Sequence, residues 1–360
     1  MNHEANGTTV VAFYDEVQPV PAWRSDPAPR RRELPSAQLG RRHSTALNGG
    51  VIRTVMAVAI IALTAPVLAQ NPPSASPGAP RLMTPEDLTS APAQAPDWRV
   101  TYGADVNQFA ELRVPSGVGP HPVVVLVHGG CFKTYGSFAD LAAVGDALKG
   151  RGIATLNVEY RRLDQAGGGW PNTYLDVGHA VDHVRALATE HRLDLSRVVL
   201  VGHSAGGHLA MWAAARSRVP RTSALSMANP LAVRGVVDLA GPLDLTMNID
   251  GYEGLCGDRV ITNLMGGTPA SKPERYAEAS PMKLLPLGVP QVVVLGEYEQ
   301  YVPLAFAQAY VQAAQRAGDR AQMMLIPGVG HFEIASPRAA IWPKVESAIR
   351  SLIDGKLPSP

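Results

Sequence analysis

The segment 198–210 constrains the fold of this chain more than any other stretch. It joins an apolar, β-branched run to a helix-forming run through Gly202-His203-Ser204-Ala205-Gly206. A strand that turns directly into a helix strains the serine backbone and leaves room only for small residues two positions away on either side. The pattern G-x-S-x-G with these flanks is typical of a nucleophile elbow and predicts that Ser204 is an attacking hydroxyl. A glycine-rich turn with a capping serine is the alternative interpretation.

The chain from residue 97 to residue 356 alternates between strand-like and helix-like segments. A continuous apolar run, typical of a strand buried on both faces, lies at residues 123–127. Further strands are predicted at residues 153–160, 197–201, 235–239, 291–295 and 321–326. Helical spacing is found at residues 139–149, 174–191, 303–317 and 337–353. Strands that are joined through helices form a mostly parallel sheet with helices on both faces. We therefore predict one α/β catalytic domain over residues 97–356.

Two other regions modify this plan. Residues 99–105 and 108–114 alternate in polarity on either side of a turn and predict an antiparallel start to the sheet. Between residues 243 and 285 the periodicity fades into segments that contain Gly, Pro and Asn. This region is predicted to be a short lid-like insertion that shapes a binding site.

An attacking serine requires a base that accepts its proton and a carboxylate that orients the base. His331 is the candidate base, because it follows the last predicted strand in a glycine-rich loop. His203 and His208 also flank the serine, but we expect them to point along the backbone of their own turn.

Three carboxylates compete for the role of the acid. Glu299 lies in the loop after the predicted strand at residues 291–295, at the position where this acid commonly falls. Aspartate is the more usual residue at that position. Glu297 in the same loop and Asp244, after the strand at residues 235–239, remain the alternatives.

Acyl transfer also needs hydrogen-bond donors for the negative charge that develops on the carbonyl oxygen. One donor in sites of this type is the backbone N–H of the residue after the nucleophile, here Ala205. The loop after the strand at residues 123–127 reads His128-Gly129-Gly130-Cys131-Phe132, and its glycines leave N–H groups unobstructed. We predict an oxyanion hole formed by Gly129, Gly130 and Ala205. A tight turn is the alternative interpretation of the two glycines.

Several segments together resemble the esterase and arylformamidase branch of the α/β-hydrolases, which includes feruloyl-esterase-like and kynurenine-formamidase-like enzymes. They are His128-Gly129-Gly130-Cys131-Phe132, Glu159-Tyr160-Arg161, Trp170-Pro171 followed by Asp176-Val177, and the serine segment 202–209. The resemblance covers residues 100–352 in the order serine, acid, histidine. It implies the α/β-hydrolase fold and hydrolysis of carboxylic esters or small amides without a cofactor. It also implies that Tyr160, Arg161, Trp170 and Pro171 are structural or line the pocket.

The N-terminal part of the chain differs in composition from the predicted domain. Residues 1–50 are rich in Pro and Arg, lack periodicity and predict a disordered extension. Residues 51–69 have a positive flank, a short apolar core and a small terminal residue, which predicts a signal peptide cleaved after Ala69. Residues 70–96, rich in Pro, Ala and Ser, predict a flexible linker.

These features lead us to expect an exported protein, periplasmic or secreted, with no stable membrane span after signal cleavage. Because the signal lies far from Met1, we expect translation to begin near Val51 or Met56. A long leader with a twin-arginine pair at residues 41–42, a retained anchor and a buried helix are the alternatives. Export would permit a disulfide between Cys131 and Cys256, but the sequence leaves their pairing open.

Other function classes find little support in the sequence. The net charge is +1 and no basic stripe with interleaved aromatics is present, which disfavours nucleic acid as a partner. The motifs of phosphate loops, zinc proteases and cysteine metal sites are absent, and we expect no metal or cofactor.

We predict a serine esterase that acts on a small-molecule ester through Ser204, His331 and Glu299. An arylformamidase-type amide hydrolase is the second candidate. A catalytically silent binding protein with a hydrolase fold is the alternative from another class. The acyl and alcohol groups of the substrate and the oligomeric state stay open at this point.

Overall fold

The computed structural model describes residues 81–247 and 249–359 of the chain. The predicted extension at residues 1–50, the predicted signal peptide at residues 51–69 and the first part of the predicted linker lie outside the described residues. None of the helices in the described ranges is both long enough and apolar enough to cross a membrane.

An eight-stranded sheet forms the centre of the described chain. Its strands are β1 Trp98–Thr101, β2 Phe109–Arg113, β3 His121–Val127, β4 Ala154–Val158, β5 Leu193–His203, β6 Gly235–Leu239, β7 Gln291–Gly296 and β8 Ala321–Ile326. Their order across the sheet is β1-β2-β4-β3-β5-β6-β7-β8. β2 pairs antiparallel with β1 and β4, and all the other neighbours pair parallel. The predicted mostly parallel sheet with an antiparallel start is confirmed.

Helices cover both faces of this sheet. The α-helices in the described ranges are α1 Pro85–Thr89, α2 Ala142–Lys149, α3 Asn172–Ala188, α4 Ala205–Ala215, α5 Ile249–Cys256, α6 Val260–Met265, α7 Pro273–Ala279, α8 Leu304–Arg316 and α9 Trp342–Ile353. In β3, Val123 and Val125 pack on the side of α3, α4 and α8, whereas Val124 and Leu126 pack on the side of α2 and α9. Because both faces are buried, the strand reads as one continuous apolar run.

The region 243–285 contains α5, α6, α7 and a 3₁₀ turn at Pro281–Leu284. These helices have only six to eight residues each. Helices of about two turns show little sequence periodicity, which explains why the sequence of this region resembles an irregular insertion.

The C-terminal part of the predicted linker differs from the expectation of a flexible segment. α1 lies within it, the N–H of Thr84 donates to Asp87 Oδ2 at 2.9 Å, and Leu88 is buried in the same apolar cluster as α2 and α9. The N–H of Met83 donates to the carboxylate of Glu333. The prediction of a flexible linker is therefore wrong for this part. The Pro-rich composition masked a short helix that is capped at Thr84 and anchored by buried Leu88.

Candidate active site

Ser204 lies at the corner between β5 and α4, with φ 54° and ψ −124°. Residues other than glycine rarely adopt this region, and such strain is typical of functional sites. A Cβ on Gly202 would lie 2.0 Å from the carbonyl oxygen of Gly206, and a Cβ on Gly206 would lie 2.1 Å from that of Val127. The corner therefore requires both glycines, as the sequence pattern predicted.

His331 follows β8 and is paired with Glu299, which follows β7. Its Nδ1 lies 2.9 Å from Oε1 and 2.8 Å from Oε2 of Glu299, and both side chains are buried. Since a carboxylate only accepts hydrogen bonds, Nδ1 carries the proton and Nε2 is left as the basic nitrogen. Glu299 Oε1 also accepts from the N–H groups of Tyr301 at 2.7 Å and Val302 at 3.3 Å. These contacts hold the carboxylate toward the histidine.

The two alternative carboxylates lie elsewhere. Glu297 Oε2 accepts from the N–H of Gly328 at 2.8 Å. Asp244 accepts from the hydroxyl of Thr246 at 2.7 Å and forms an ion pair with Lys283 at 3.3 Å. Among the three candidates for the acid, the structure thus brings only Glu299 into contact with His331.

His203, the residue before the serine, connects the elbow to the histidine loop. Its Nε2 donates to the backbone carbonyl of His331 at 2.9 Å, and the two imidazole rings have centroids 4.7 Å apart. Burial lowers the pKa of His203 to about 3, so the ring is neutral near pH 7. His203 does not point along its own turn as expected but holds the loop that carries His331.

Ser204 and His331 lie at the same end of the sheet without a hydrogen bond of ordinary geometry between them in the described residues. In unliganded enzymes this contact is often long and tightens when substrate binds. The arrangement can therefore deliver a base to the serine once an ester occupies the site.

His208 also does not point along the backbone of its own turn, as the sequence led us to expect. Its Nδ1 donates to the carbonyl oxygen of Pro242 at 2.7 Å, and its Nε2 accepts from the hydroxyl of Tyr174 at 3.0 Å. Burial lowers the pKa of His208 to about 4, which keeps Nε2 an acceptor near pH 7. His208 thus ties α4 to α3 and to the loop after β6.

The loop after β3 passes directly beside the serine. A Cβ on Gly129 would lie 2.9 Å from Ser204 Cβ, and a Cβ on Gly130, where φ is +96°, would lie 2.2 Å from the nitrogen of Gly136. The backbone N–H groups of Gly129, Gly130 and Ala205 donate no hydrogen bond within the described chain. These three backbone N–H groups therefore keep their capacity to donate.

Residues from the Glu159-Tyr160-Arg161 segment support this loop. His128 Nε2 donates to Glu159 Oε1 at 3.0 Å, and the hydroxyl of Tyr160 donates to the carbonyl oxygen of His128 at 2.9 Å. Arg161 pairs with buried Asp176 at 2.6 Å. These contacts give Tyr160 and Arg161 the structural part that the sequence resemblance implied.

Cys131 and Cys256 form a disulfide, with Cα atoms 5.6 Å apart. The bond joins the loop of Gly129 and Gly130 to the C-terminus of α5. The sequence left this pairing open, because residues distant in sequence meet only through the tertiary fold.

A narrow pocket lies next to the catalytic candidates, although neither Ser204 nor His331 is among its lining residues. Its lining includes Tyr252, Tyr301, Met247, Met282 and Phe306. The ring of Tyr301 lies 4.3 Å from that of His331, and Tyr252 lies beside Ser204. The cavity volume is about 20 Å³, whereas one buried water needs roughly 10–15 Å³. The pocket therefore has room for a group of one or two heavy atoms.

Asp238 is a buried carboxyl beside the elbow that the sequence analysis missed, since it lies within an apolar strand. Its Oδ1 accepts from the N–H of Gly241 at 2.9 Å, and its Oδ2 has no partner among the described residues. Burial raises the pKa of Asp238 well above its ordinary value. The folded protein therefore holds a proton that the unfolded chain releases above about pH 4.

Asp238→Asn is expected to stabilise the protein increasingly as the pH rises. The wild type loses free energy of unfolding as the pH rises from about 4 toward the raised pKa, because folding must then take up a proton. Asparagine matches the shape of the neutral acid and removes this loss. Thermal unfolding should show that the melting temperature of the variant, relative to that of the wild type, rises by a few degrees between about pH 5 and about pH 8. A difference that is independent of pH would contradict the neutral carboxyl.

Comparison with known proteins identifies the family. The BD-FAE family model matches residues 112–313, which is more than half of the chain. The chain belongs to the BD-FAE family. The match includes the elbow, the loop of Gly129 and Gly130, and Glu299. Membership in BD-FAE confirms the predicted resemblance to the esterase branch of the α/β-hydrolases.

Individual relatives of this BD-FAE protein are named esterases. Esterase LipC of Mycobacterium tuberculosis is 29% identical over 240 residues, which cover 65% of this chain and 59% of LipC. The chain thus spans less than two thirds of the length of this curated relative.

Solved structures show the same fold. A truncated carbohydrate esterase from gut microbiota is 19% identical with a TM-score of 0.60, covering 73% of this chain and 99% of that one. The propionate-bound esterase Est2 of Thermogutta terrifontis is 20% identical with a TM-score of 0.58, covering 73% and 96%. The likeness confirms the predicted α/β-hydrolase fold.

Proposed function

We propose that this chain is a carboxylic-ester hydrolase that forms an acyl-enzyme on Ser204. The observation that carries the proposal is the buried pair of His331 Nδ1 and the Glu299 carboxylate, which lies at the same end of the sheet as the strained Ser204 corner. A base that is oriented by a carboxylate, at the same end of the sheet as a strained serine, has the composition of a Ser-His-acid triad. The name of LipC agrees with this activity.

In the proposed reaction, Ser204 Oγ attacks the acyl carbon of the ester and its proton passes to His331 Nε2. Glu299 keeps the proton of the imidazole on Nδ1 and stabilises the imidazolium that forms. The N–H groups of Gly129, Gly130 and Ala205 stabilise the oxyanion of the tetrahedral intermediate. His331 then gives its proton to the leaving alcohol, and water hydrolyses the acyl-enzyme with His331 as the base.

We further propose that the acyl group is short. The pocket between Tyr252 and Tyr301 accommodates only one or two heavy atoms, and both tyrosines lie against the catalytic groups. Est2 of T. terrifontis, a protein of the same fold, has been solved with propionate bound. We propose that this pocket takes the methyl end of an acetyl group or the ethyl end of a propionyl group, while the carbonyl lies at Ser204.

A screen of p-nitrophenyl esters of increasing chain length tests this proposal. We expect kcat/KM to be highest for acetate or propionate and at least about tenfold lower for octanoate, because added methylenes have no room. An N-formyl anilide should be hydrolysed more slowly than the acetate ester. Faster turnover of the formanilide would favour the arylformamidase alternative, and no turnover of any ester would contradict the proposed function.

Export is also part of the proposal. The signal-like segment at residues 51–69 supports it, as does the disulfide between Cys131 and Cys256, since such bonds persist mainly in oxidising compartments. The substrate is then a small-molecule ester outside the cytosol.

A further inference from the structure

The side chain of Tyr252 has no part in the proposed triad or in the backbone oxyanion hole. It lies on α5 within the insertion and is 3% exposed. Its hydroxyl lies beside the hydroxyl of Ser204 and forms no hydrogen bond of ordinary geometry within the described residues. A buried hydroxyl without a partner lowers stability, so its presence at the nucleophile calls for a functional explanation.

The disulfide ties the helix that carries Tyr252 to the loop of Gly129 and Gly130. Cys256 follows Tyr252 by four residues, so the two side chains lie on the same face of α5. Its partner, Cys131, comes directly after Gly129 and Gly130. The hydroxyl of Tyr252 thus lies beside the nucleophile, on a helix that the disulfide joins to the loop of Gly129 and Gly130.

The protonation state of Tyr252 suits a donor. Burial raises the pKa of its hydroxyl above the ordinary value for tyrosine, so the group stays protonated over the pH range in which a histidine base works. When Ser204 Oγ bonds to the acyl carbon, the carbonyl oxygen on that carbon is brought next to Ser204 Oγ, and therefore close to the Tyr252 hydroxyl. This oxygen becomes negative in the tetrahedral intermediate, when a donor is needed most.

We propose that Tyr252 is a catalytic residue that donates a hydrogen bond from its side chain to the oxyanion, beside the amides of Gly129, Gly130 and Ala205. Tyr252 keeps its proton throughout, and no bond to it is made or broken. The acyl carbon still takes its electron pair from Ser204, and the leaving alcohol still takes its proton from His331. This inference rests on the proposed ester hydrolysis.

Replacement of Tyr252 by phenylalanine tests the inference, because it removes only the hydroxyl. Loss of one oxyanion donor typically lowers the rate by about 10²–10³-fold, and we expect a fall of at least about 30-fold in kcat/KM for p-nitrophenyl acetate. The melting temperature of Tyr252→Phe should equal or exceed that of the wild type, since a buried unpaired polar atom is removed. Slower catalysis in a protein of undiminished stability separates a catalytic role from a structural one.

Tyr276→Phe is the matched control. Tyr276 is also a buried tyrosine of the insertion, and its hydroxyl donates to the carbonyl oxygen of Gly267 at 2.9 Å, not to the serine. We expect its kcat/KM to stay within about threefold of the wild type, with a lower melting temperature because the Gly267 carbonyl loses its partner.

Comparison of two acetate esters distinguishes the oxyanion from the leaving group. A donor to the oxyanion acts equally on good and poor leaving groups, so Tyr252→Phe should lower kcat/KM by the same factor for p-nitrophenyl acetate and ethyl acetate. A much larger loss with ethyl acetate would overturn the inference, because it would assign Tyr252 to the leaving alcohol. So would a value within about threefold of the wild type for both esters.

Failure of this inference is distinct from failure of the proposed function. If the wild type hydrolyses esters and Ser204→Ala does not, the function stands whatever Tyr252→Phe does. If Ser204→Ala retains full activity, the proposed function fails and the inference about Tyr252 falls with it.

Discussion

Ser204→Ala is expected to lower the turnover of p-nitrophenyl acetate by about 10⁴-fold or more. The hydroxyl is the only group of the proposed site that bonds to the substrate, so its loss removes the acyl-enzyme route entirely. The elbow itself should survive, since alanine is smaller than serine and Ser204 Oγ makes no hydrogen bond that holds the turn. Steady-state kinetics and circular dichroism on the same preparation check both statements.

Ser196→Ala is the matched control for this variant. Its hydroxyl donates to Asp194 at 2.6 Å. Both residues lie at the exposed start of β5, at the opposite end of the strand from the elbow. This variant should retain activity within about threefold of the wild type. Equal activity of Ser204→Ala and Ser196→Ala would contradict the role of Ser204.

Glu299→Gln is expected to lower kcat by about 10²–10⁴-fold at neutral pH. Glutamine offers one oxygen and one amide in place of two acceptor oxygens. The variant lacks the negative charge that stabilises the imidazolium. The glutamine amide can also donate to Nδ1 and thereby favour the wrong tautomer of His331. The pH dependence of kcat for the variant should show the loss at every pH at which the wild type is active.

The paired control is Glu297→Gln in the same loop. Glu297 is exposed to solvent and accepts a hydrogen bond from the N–H of Gly328. Its carboxylate forms no hydrogen bond with His331 in the described residues. We expect its kcat within about threefold of the wild type. Comparable activity in both variants would remove Glu299 from the proposed triad.

The parts of this protein that the sequence predicts well are those set by local stereochemistry. The spacing of Gly202 and Gly206 around Ser204 reflects clashes of about 2 Å that any side chain would create. Strand β3 is equally clear in the sequence, because burial on both faces leaves the uninterrupted apolar run 123–127. The candidate base could be located because His331 follows the last predicted strand.

Features that depend on distant contacts could not be read in the same way. His203 meets the carbonyl of His331, 128 residues later in the chain, and no local pattern indicates that contact. Tyr252 lies in a helix too short to show periodicity, and a disulfide between residues 125 positions apart joins that helix to the loop of Gly129 and Gly130. The choice between Glu297 and Glu299 likewise depends on which carboxylate the folded loop turns toward His331.

The most direct test of the account is the site of reaction with a fluorophosphonate, read by mass spectrometry of the intact protein and of its peptides. We predict one adduct per chain on the peptide that contains Ser204, and none in Ser204→Ala. A catalytically silent binding protein would show no adduct. Labelling at a different residue, or ester hydrolysis that continues without any adduct, would contradict Ser204 as the nucleophile.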